Sequence, residues 1–493
     1  MGKDLRTFLD QVREAQDSGH FQESGLVEVG RPVKPYLDVP ILQQKLAHQG
    51  RYPLISCPRV EGYRLPLISN LYGSWELHGL ALGLSPDRWT ERDLFWEYRK
   101  RLEERKPTRV VPASQAPVKE VVLKGDQIDL GLFPVNQHAI PQAGRYITPG
   151  CMVSRDPDTG IQNVGVYRHQ VKGKDLLGVM INPVHDANPI AHRYAELGKP
   201  MEVAIVLGHH PAVGIASCVR GSRRNFSELE VAGALLGEPL EVVKAETVDL
   251  EVPARAEIVI EGVIDDPRET STDGPFPERL HYGRGGKPCF LLRVTAITMR
   301  HDAIFHDLDP SHREHSMMGG NLNTVRAYNA VRAAMPDSEI LEARSFMGAL
   351  WIKLRKRVMG EGKRACLAAM AAEEHPQFIV AVDDDIDLYS THDLGLALST
   401  RVIADRGIDI IPYITGAHLN PTAYNESRDP IIEGGPMTTR VIIDATRPLG
   451  RPWSTRITPQ NAFEERWAST TLEDFALTWP TRVALRERRQ RAG

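Results

Sequence analysis

The sequence predicts a mixed α/β (α+β) protein in which a central β-barrel or strongly curved sheet lies between two α/β regions. Three observations predict it. Between about residues 116 and 315 the chain is dominated by apolar, β-branched runs bounded by Gly, Pro and Asp, with few helices between them. Beyond about 337, strand and helix alternate, as in a layered α/β unit. At 493 residues the chain is too long for one hydrophobic core and should hold two or three domains.

In chain order, residues 1–115 read as an N-terminal α/β cap with no chemistry of its own. Its first helix, Leu5 to Ala15, puts Leu5, Phe8, Leu9 and Val12 on one face. Short strands punctuated by Pro and Gly follow, then a charged helix, Glu91 to Lys106, closed by Pro107. Residues 116–318 supply the barrel, with strands at Val118–Leu123, Gly165–Val171, Leu176–Ile181, Met201–Leu207, Ala256–Ile264 and Phe290–Met299. Asp156-Pro157-Asp158-Thr159-Gly160 is hairpin punctuation, and helices are expected at His192–Leu197 and Glu228–Leu236. Residues 319–336 hold a connector helix, Asn321 to Ala334, opened by Gly319-Gly320 and ended before Pro336.

Residues 337–455 form the C-terminal α/β domain. It reads as a strand over Ile340–Leu354, an Ala-rich helix from Arg364 to Glu374 and a strand Phe378–Val382 running into Asp383-Asp384-Asp385. A helix from His392 to Arg406 and strands at Ile408–Ile411 and Arg440–Asp444 complete it. The acid cluster reads as a solvated turn, and the Gly-, Asn- and Pro-rich stretch from Gly416 to Gly435 has the length of a lid or binding loop. Residues 456–493 read as a charged helical tail broken at Pro480 and suited to embracing a partner subunit, so a homodimer is the first expectation and a higher assembly of dimers the second.

Composition excludes several classes. The chain is 42% hydrophobic and 25% charged with a net charge of −4, which offers no electrostatic footprint for nucleic acid or an anionic membrane. No apolar run reaches the length of a membrane span, and the start, Met1-Gly2-Lys3-Asp4-Leu5-Arg6-Thr7, is polar where a secretory signal is apolar. Arg6 breaks the myristoylation pattern at Gly2. Cys57, Cys151, Cys218, Cys289 and Cys366 are scattered singly, which rules out a zinc knuckle or redox CxxC and suits a reducing, cytoplasmic setting. There is no internal repeat and no Walker, HExxH or GxSxG motif, and Gly283-Arg284-Gly285-Gly286 is only a glycine-rich turn.

The chemistry concentrates in Asp273-Gly274-Pro275-Phe276-Pro277-Glu278. Gly274 can take positive φ and the two prolines fix φ, so the segment folds back and both carboxylates can face one cavity. Paired acids in unlike surroundings can hold one group ionised and the other protonated near neutral pH. Other residues read as ordinary on their own: Asn163 and Arg168 as strand residues, Glu228 as a first-turn helix acid, His185 and His192 as hydrogen-bonded structural histidines. The cluster His306, His312, Arg313 and His315, with Met317 and Met318 as adaptable pocket wall, is a secondary candidate for contact with substrate.

Four blocks in order resemble the UbiD family of decarboxylases. They are Asp156 through Arg168, Phe226-Ser227-Glu228 leading to Ala232-Gly233-Ala234-Leu235-Leu236-Gly237-Glu238, the acid turn Asp273–Glu278, and Arg440-Val441-Ile442-Ile443-Asp444-Ala445-Thr446. The resemblance implies a split β-barrel that binds prenylated FMN, a C-terminal oligomerisation domain, and non-oxidative, reversible decarboxylation of an aromatic, heteroaromatic or α,β-unsaturated acid through a covalent substrate–flavin adduct. It implies Arg168, Asp273 and Glu278 as the catalytic triad, with Glu278 the proton donor. It implies Asn163, a histidine and Glu228 as ligands of Mn²⁺ or another divalent ion clamping the flavin phosphate, with K⁺ nearby. His185 fits the spacing from Asn163 better than His192. Val166, Tyr167, Ser217, Cys218 and Arg440 complete the implied cofactor contacts, Arg440 replacing the commoner Lys with charge retained. A flavin prenyltransferase would supply the cofactor. The chain departs from the family in having Asp273 for Glu, Pro277 for Gly, and an insertion at 219–225 with Arg220, Arg223 and Arg224.

This chemistry has a physical rationale. Breaking a carboxylate from an sp² carbon leaves charge in an orbital orthogonal to the π system, so an external electron sink is required and no side chain supplies one. Glu278 would need its pKa raised from about 4.3 toward neutrality, as burial beside an apolar substrate can do. Arg168 would hold Asp273 ionised through a fixed guanidinium fork. Two further readings are an unmodified FMN oxidoreductase, which needs no proton-donating acid, and a non-catalytic flavin-binding subunit, which needs no triad.

Overall fold

Asp4 opens the first helix, α1 (Leu5–Asp17), by exchanging hydrogen bonds with Thr7 in a capping box, each at 2.9 Å. The face it buries, Leu5, Phe8, Leu9, Val12 and Ala15, contains the residues that periodicity selects. A second helix, α2 (Glu91–Glu103), starts at Thr90, whose side chain accepts from the Asp93 N–H, and buries Leu94, Phe95 and Tyr98. These belong to a computed structural model that describes residues 2–21, 25–140, 142–183, 185–220, 226–373, 375–417, 419–423, 437–454, 456–457, 464–471 and 473–476. The chain divides into two units, Met1–Thr446 and Arg447–Gly493.

The centre of the first unit is a closed antiparallel barrel of six strands. They are β1 (Tyr146–Arg155), β2 (Gln162–Val171), β3 (Leu176–Met180), β4 (Met201–Leu207), β5 (Ile258–Ile264) and β6 (Lys287–Met299). The order is β5-β4-β1-β2-β3-β6, closed by the pairing of β6 with β5. Alternation along β4 explains why it reads as a continuous apolar run. Met201, Val203, Ile205 and Leu207 join one buried cluster, while Ala204 and Val206 join another with Leu229, Val231 and Leu235 of the helix α4 introduced below. Each Val or Ile buried this way contributes about 1.5–3 kcal/mol.

Five of the six barrel strands lie where the sequence places them, and β1 does not appear in that reading. Its Pro149-Gly150 looks like turn punctuation but sits inside the strand, where the register against β2 shifts between Ile147 and Gly150. Val118–Leu123, by contrast, is a short 3-10 turn, Pro117–Lys119, followed by a strand Val121–Lys124 that adds to β6 outside the closed set. Helices α3 (Ala187–Leu197) and α4 (Glu228–Leu236) interrupt the barrel strands.

A connector helix, α5 (Gly320–Ala334), leads to a mixed sheet. Its strands are β7 (Glu339–Phe346), β8 (Ala349–Arg355), β9 (Phe378–Asp383), β10 (Ile408–Thr415) and β11 (Met437–Ala445), in the order β7-β8-β9-β11-β10. The middle three are parallel and the two edges antiparallel. The expected single strand over Ile340–Leu354 is a hairpin, because Met347 and Gly348 both take positive φ, 52° and 75°, and form a two-residue turn. The expected helix His392–Arg406 is two, Thr391–Arg401 and Ala404–Gly407. Between β8 and β9 lies the helix α6 (Glu361–Ala372). The acid cluster after β9 is ion-paired, with Arg401 reaching Asp383 and Asp385 at 2.7 Å each and Arg355 reaching Asp384 at 2.9 Å.

In the second unit a helix Glu464–Ser469 and a 3-10 turn Glu473–Phe475 are described, and Pro480 lies outside the described residues. Most of the expected lid, 424–435 and His418, lies outside them as well. Among the described residues no helix is long and apolar enough to cross a membrane.

Candidate active site

Strand β2 presents Asn163, Val166, Tyr167 and Arg168, and a turn entered from β6's edge brings two acids to Arg168. Thr270–Asp273 pairs with β6, setting Asp273 opposite Lys287. Gly274 then takes φ +86°, as the turn demands, and Phe276–Pro277 pairs back on Gly283–Arg284. Tyr146 of β1 fixes the turn twice, its hydroxyl accepting from the Gly274 N–H at 3.0 Å and its ring lying 4.7 Å from that of Phe276.

Arg168 lies across both acids. Its Nε donates to Asp273 Oδ2 at 3.1 Å, Nη2 donates to the same oxygen, and Nη1 donates to Glu278 Oε1. Its guanidinium carbon sits 4.4 Å above the Phe276 ring, a cation–π contact that fixes its plane. Burial disfavours the guanidinium charge, but Glu278 and Asp273 outweigh it and raise the pKa above the ordinary value. The sequence expectation has Arg168 hold Asp273 ionised and orient the set; in the structure it bridges the two carboxylates.

The triad stands at a cleft of about 270 Å³, close to the roughly 300 Å³ at which small-molecule pockets begin. Arg168 and Glu278 line it, with Val166, Tyr167, Ser217 and Cys218 from the expected cofactor set. Asp273 is fully buried behind them. Ser217 Oγ donates to the Val213 carbonyl at 2.8 Å, and burial pushes the Cys218 thiol up to about 12, so neither side chain is a nucleophile.

Asn163 also lines a second, smaller cavity together with Glu228 and Asp186. Asn163 Nδ2 faces Glu228 Oε1 at 3.4 Å, and Glu228 Oε2 accepts from the Val164 N–H at 2.9 Å. Burial pushes Glu228 up to about 8 against the lowering effect of that N–H. The buried Asn163 Oδ1 has no hydrogen-bond partner. His185, on the cleft wall with its ring 5.4 Å from that of Tyr167, is held down to about 3 by burial and by Arg220 and His375, so its imidazole is neutral and able to ligate. An orphaned carbonyl, a buried carboxylate and a neutral imidazole fit a hard or borderline divalent cation. Among the described residues no group of three or more His, Cys, Asp and Glu is assembled for a metal, so the set depends on the Asn163 carbonyl. His192 lies on α3 and lines a different cavity, with Asp158 and Arg193.

Arg440 does not line the cleft. It is 1% exposed and donates to the carbonyls of Pro376 at 2.9 Å, Met370 at 3.0 Å and Glu373 at 2.6 Å, locking the end of α6 to the segment that carries His375 into the cleft wall. Burial lowers its pKa to about 10. Arg440→Lys is expected to lower stability by about 2 kcal/mol, because one ammonium cannot serve three carbonyls in this fork. An unchanged denaturation midpoint would show the fork to be dispensable.

Of the histidine cluster, His315 lines the cleft, with Met318 beside it. His306 is buried against Tyr72 and His209, and His312 caps the short helix Arg313–Met317. Arg313 sits over Tyr52 at 4.3 Å. Sequence reasoning missed Arg279 and His375, which also line the cleft, and left Arg220, another wall residue, without a role. Arg223 and Arg224 lie outside the described residues.

The chain matches the N-terminal, Rift-related and C-terminal domains of 3-octaprenyl-4-hydroxybenzoate carboxy-lyase (UbiD) over residues 22–92, 109–312 and 316–445. It is 30% identical over 463 residues to a phenolic acid decarboxylase of Sedimentibacter hydroxybenzoicus, covering 91% of this chain and 92% of that one. Among solved structures it resembles the UbiD-class enzyme HmfF of Pelotomaculum thermopropionicum in complex with FMN, with a TM-score of 0.81, 32% identity and coverage of 96% of this chain and 100% of that one. An evolved dimeric form of the same enzyme in complex with prFMN gives 0.78 and 30% over the same shares.

Proposed function

The chain belongs to the UbiD family of decarboxylases, and we propose that it removes CO₂, reversibly and without oxidation, from an aromatic, heteroaromatic or α,β-unsaturated carboxylic acid on prenylated FMN bound in the cleft. The observation that carries this reading is the guanidinium of Arg168 bridging a fully buried Asp273 and a cleft-lining Glu278. The flavin, when bound, supplies the electron sink that loss of CO₂ from an sp² carbon requires. Asn163, His185 and Glu228 would hold a divalent cation, Mn²⁺ or similar, against its phosphate, with K⁺ close by.

The chain's own residues do the rest. Asp273, anchored on the β6 ladder, fixes the plane of Arg168. Arg168 orients the incoming acid and keeps Glu278 at the reacting carbon. Glu278 delivers the proton that replaces CO₂. Phe276, Leu308 and Met318 on the cleft wall exclude water from that carbon.

Coexpression with a flavin prenyltransferase, followed by assay of CO₂ release from a panel of unsaturated and aromatic acids, tests the reaction. Turnover is expected only with the prenylated cofactor; activity confined to plain FMN would point to an oxidoreductase instead. Glu278→Gln is expected to cut turnover by about 10²–10⁴-fold with the flavin still bound. Near-wild-type turnover in that variant would remove Glu278 as the proton donor.

A further inference from the structure

Arg279, the residue after Glu278, is half-buried on the cleft wall and makes no hydrogen bond or ion pair with any described residue. The two carboxylates that act on it, Glu373 and Glu278, are both engaged elsewhere. Glu278 is paired with Arg168, and Glu373 accepts from His375 and, at 2.9 Å, from Arg326. Of the other titratable wall residues, His315, His375 and Arg220 bring no negative charge, His315 Nδ1 being tied to the Pro310 carbonyl at 2.8 Å, and the wall carboxylate of Asp186 is not among the charges that act on Arg279. Burial lowers the pKa of Arg279, and the charge of Arg279 in turn opposes protonation of His315 and His375.

A guanidinium on a partly dry wall, without a counter-ion, is costly, and its planar fork matches the paired oxygens of a carboxylate or phosphate. The scissile carboxylate is a poor occupant. It leaves as neutral CO₂, so an ion pair made to it in the ground state and lost on the way to the transition state would slow the reaction. A non-reacting anionic group on the same molecule has the opposite effect, since its binding energy persists through the transition state and positions the reacting end.

We infer that Arg279 receives a second anionic group of the substrate, a carboxylate or a phosphate, so that the chain selects acids carrying two anionic groups. This rests on the reading of the cleft as the site of an acid and its flavin.

Terephthalate, 4-phosphonobenzoate and the size-matched monoanion monomethyl terephthalate would be titrated calorimetrically into the FMN-loaded chain and into the chain alone. At least one dianion is expected to bind about tenfold more tightly than the ester, and Arg279→Gln to erase that preference while Arg279→Lys keeps part of it. Whichever dianion binds better identifies the second group. FMN affinity of both variants is expected to stay within about twofold of the wild type, reporting an intact cleft. Equal affinity of the wild type for dianions and ester, survival of the preference in Arg279→Gln, or an approximately tenfold loss of FMN affinity in that variant, which would assign the guanidinium to the flavin, overturns the inference. These titrations involve no turnover: a preference that persists while the prenylated form releases no CO₂ from any acid would sink the proposed reaction and leave the anion site standing.

Discussion

Arg168→Met is expected to abolish CO₂ release and to lower folding stability by about 3–5 kcal/mol, whereas adding Asp273→Asn restores most of the stability and none of the activity. Asp273 is 0% exposed, and its Oδ1 has no hydrogen-bond partner. The compensation for its charge comes through Oδ2, which receives both Nε and Nη2 of Arg168. Removing the guanidinium therefore strands the dry carboxylate of Asp273, whereas its other partner, Glu278, lines the cleft. Leaving Asp273 charged costs far more than replacing Asp273 and Arg168 together by neutral groups. Activity behaves differently, because the neutral pair cannot orient Glu278 or the incoming acid. Chemical denaturation followed by circular dichroism, alongside the CO₂ assay, reads both quantities. A single variant as stable as the wild type would mean that Asp273 finds its counter-charge elsewhere; a double variant that regains turnover would remove Arg168 from the chemistry.

The acid turn was legible because backbone chemistry dictates it: Gly274 and the two prolines leave few conformations, and the observed φ of +86° at Gly274 is one that glycine supplies freely. The barrel was legible wherever a strand buries both faces, as β4 does, and illegible where a strand carries turn-like residues, as β1 does at Pro149-Gly150. The hairpin at Met347-Gly348 was hidden for the converse reason, since it interrupts an otherwise continuous strand-like run by only two residues. Arg440 illustrates a third limit. The resemblance supplied its position and charge, but its direction follows from the alternation of β11, where residues 440 and 442 share a face, and Ile442 packs in the cluster that holds Ala365, Ala369 and Met370 of α6. Arg279 and His375 are of a fourth kind. Nothing local marks them, and they meet only because the barrel turn and the end of α6 converge on one cleft.

Acid is expected to unfold the protein between about pH 6 and pH 4.5, above the range in which most carboxylates titrate. His78, His169, His209, His210 and His306 are buried, and burial holds their pKa values down to about 4, 3, 4, 3 and 3. Above the ordinary histidine pKa of about 6.5 these groups are neutral whether the chain is folded or not, and they make no difference. Below it the unfolded chain binds protons that the folded chain refuses, so stability falls with falling pH by about 1.4 kcal/mol per pH unit for each group until the folded pKa is reached. By about pH 5.5 the five together remove several kcal/mol, a large share of the roughly 5–15 kcal/mol that holds a typical fold. His138 acts with the opposite sign: burial lowers its pKa, but its pairing with Asp307 at 2.9 Å outweighs this and raises it, so it offsets one of the five in part. The arrangement itself opposes double protonation, because the rings of His209 and His306 lie 6.2 Å apart and a charge on His209 opposes a proton on His306. Neither ring nitrogen of His306 has a hydrogen-bond partner, which makes it the cleanest probe. His306→Leu is expected to flatten the stability-against-pH curve by about one proton's worth of slope below pH 6.5 while leaving the plateau above neutrality within about 1.5 kcal/mol of the wild type. A wild-type curve that stays level down to about pH 4.5 would mean that these imidazoles exchange protons with solvent in the folded state, and the buried network would then have to be wet.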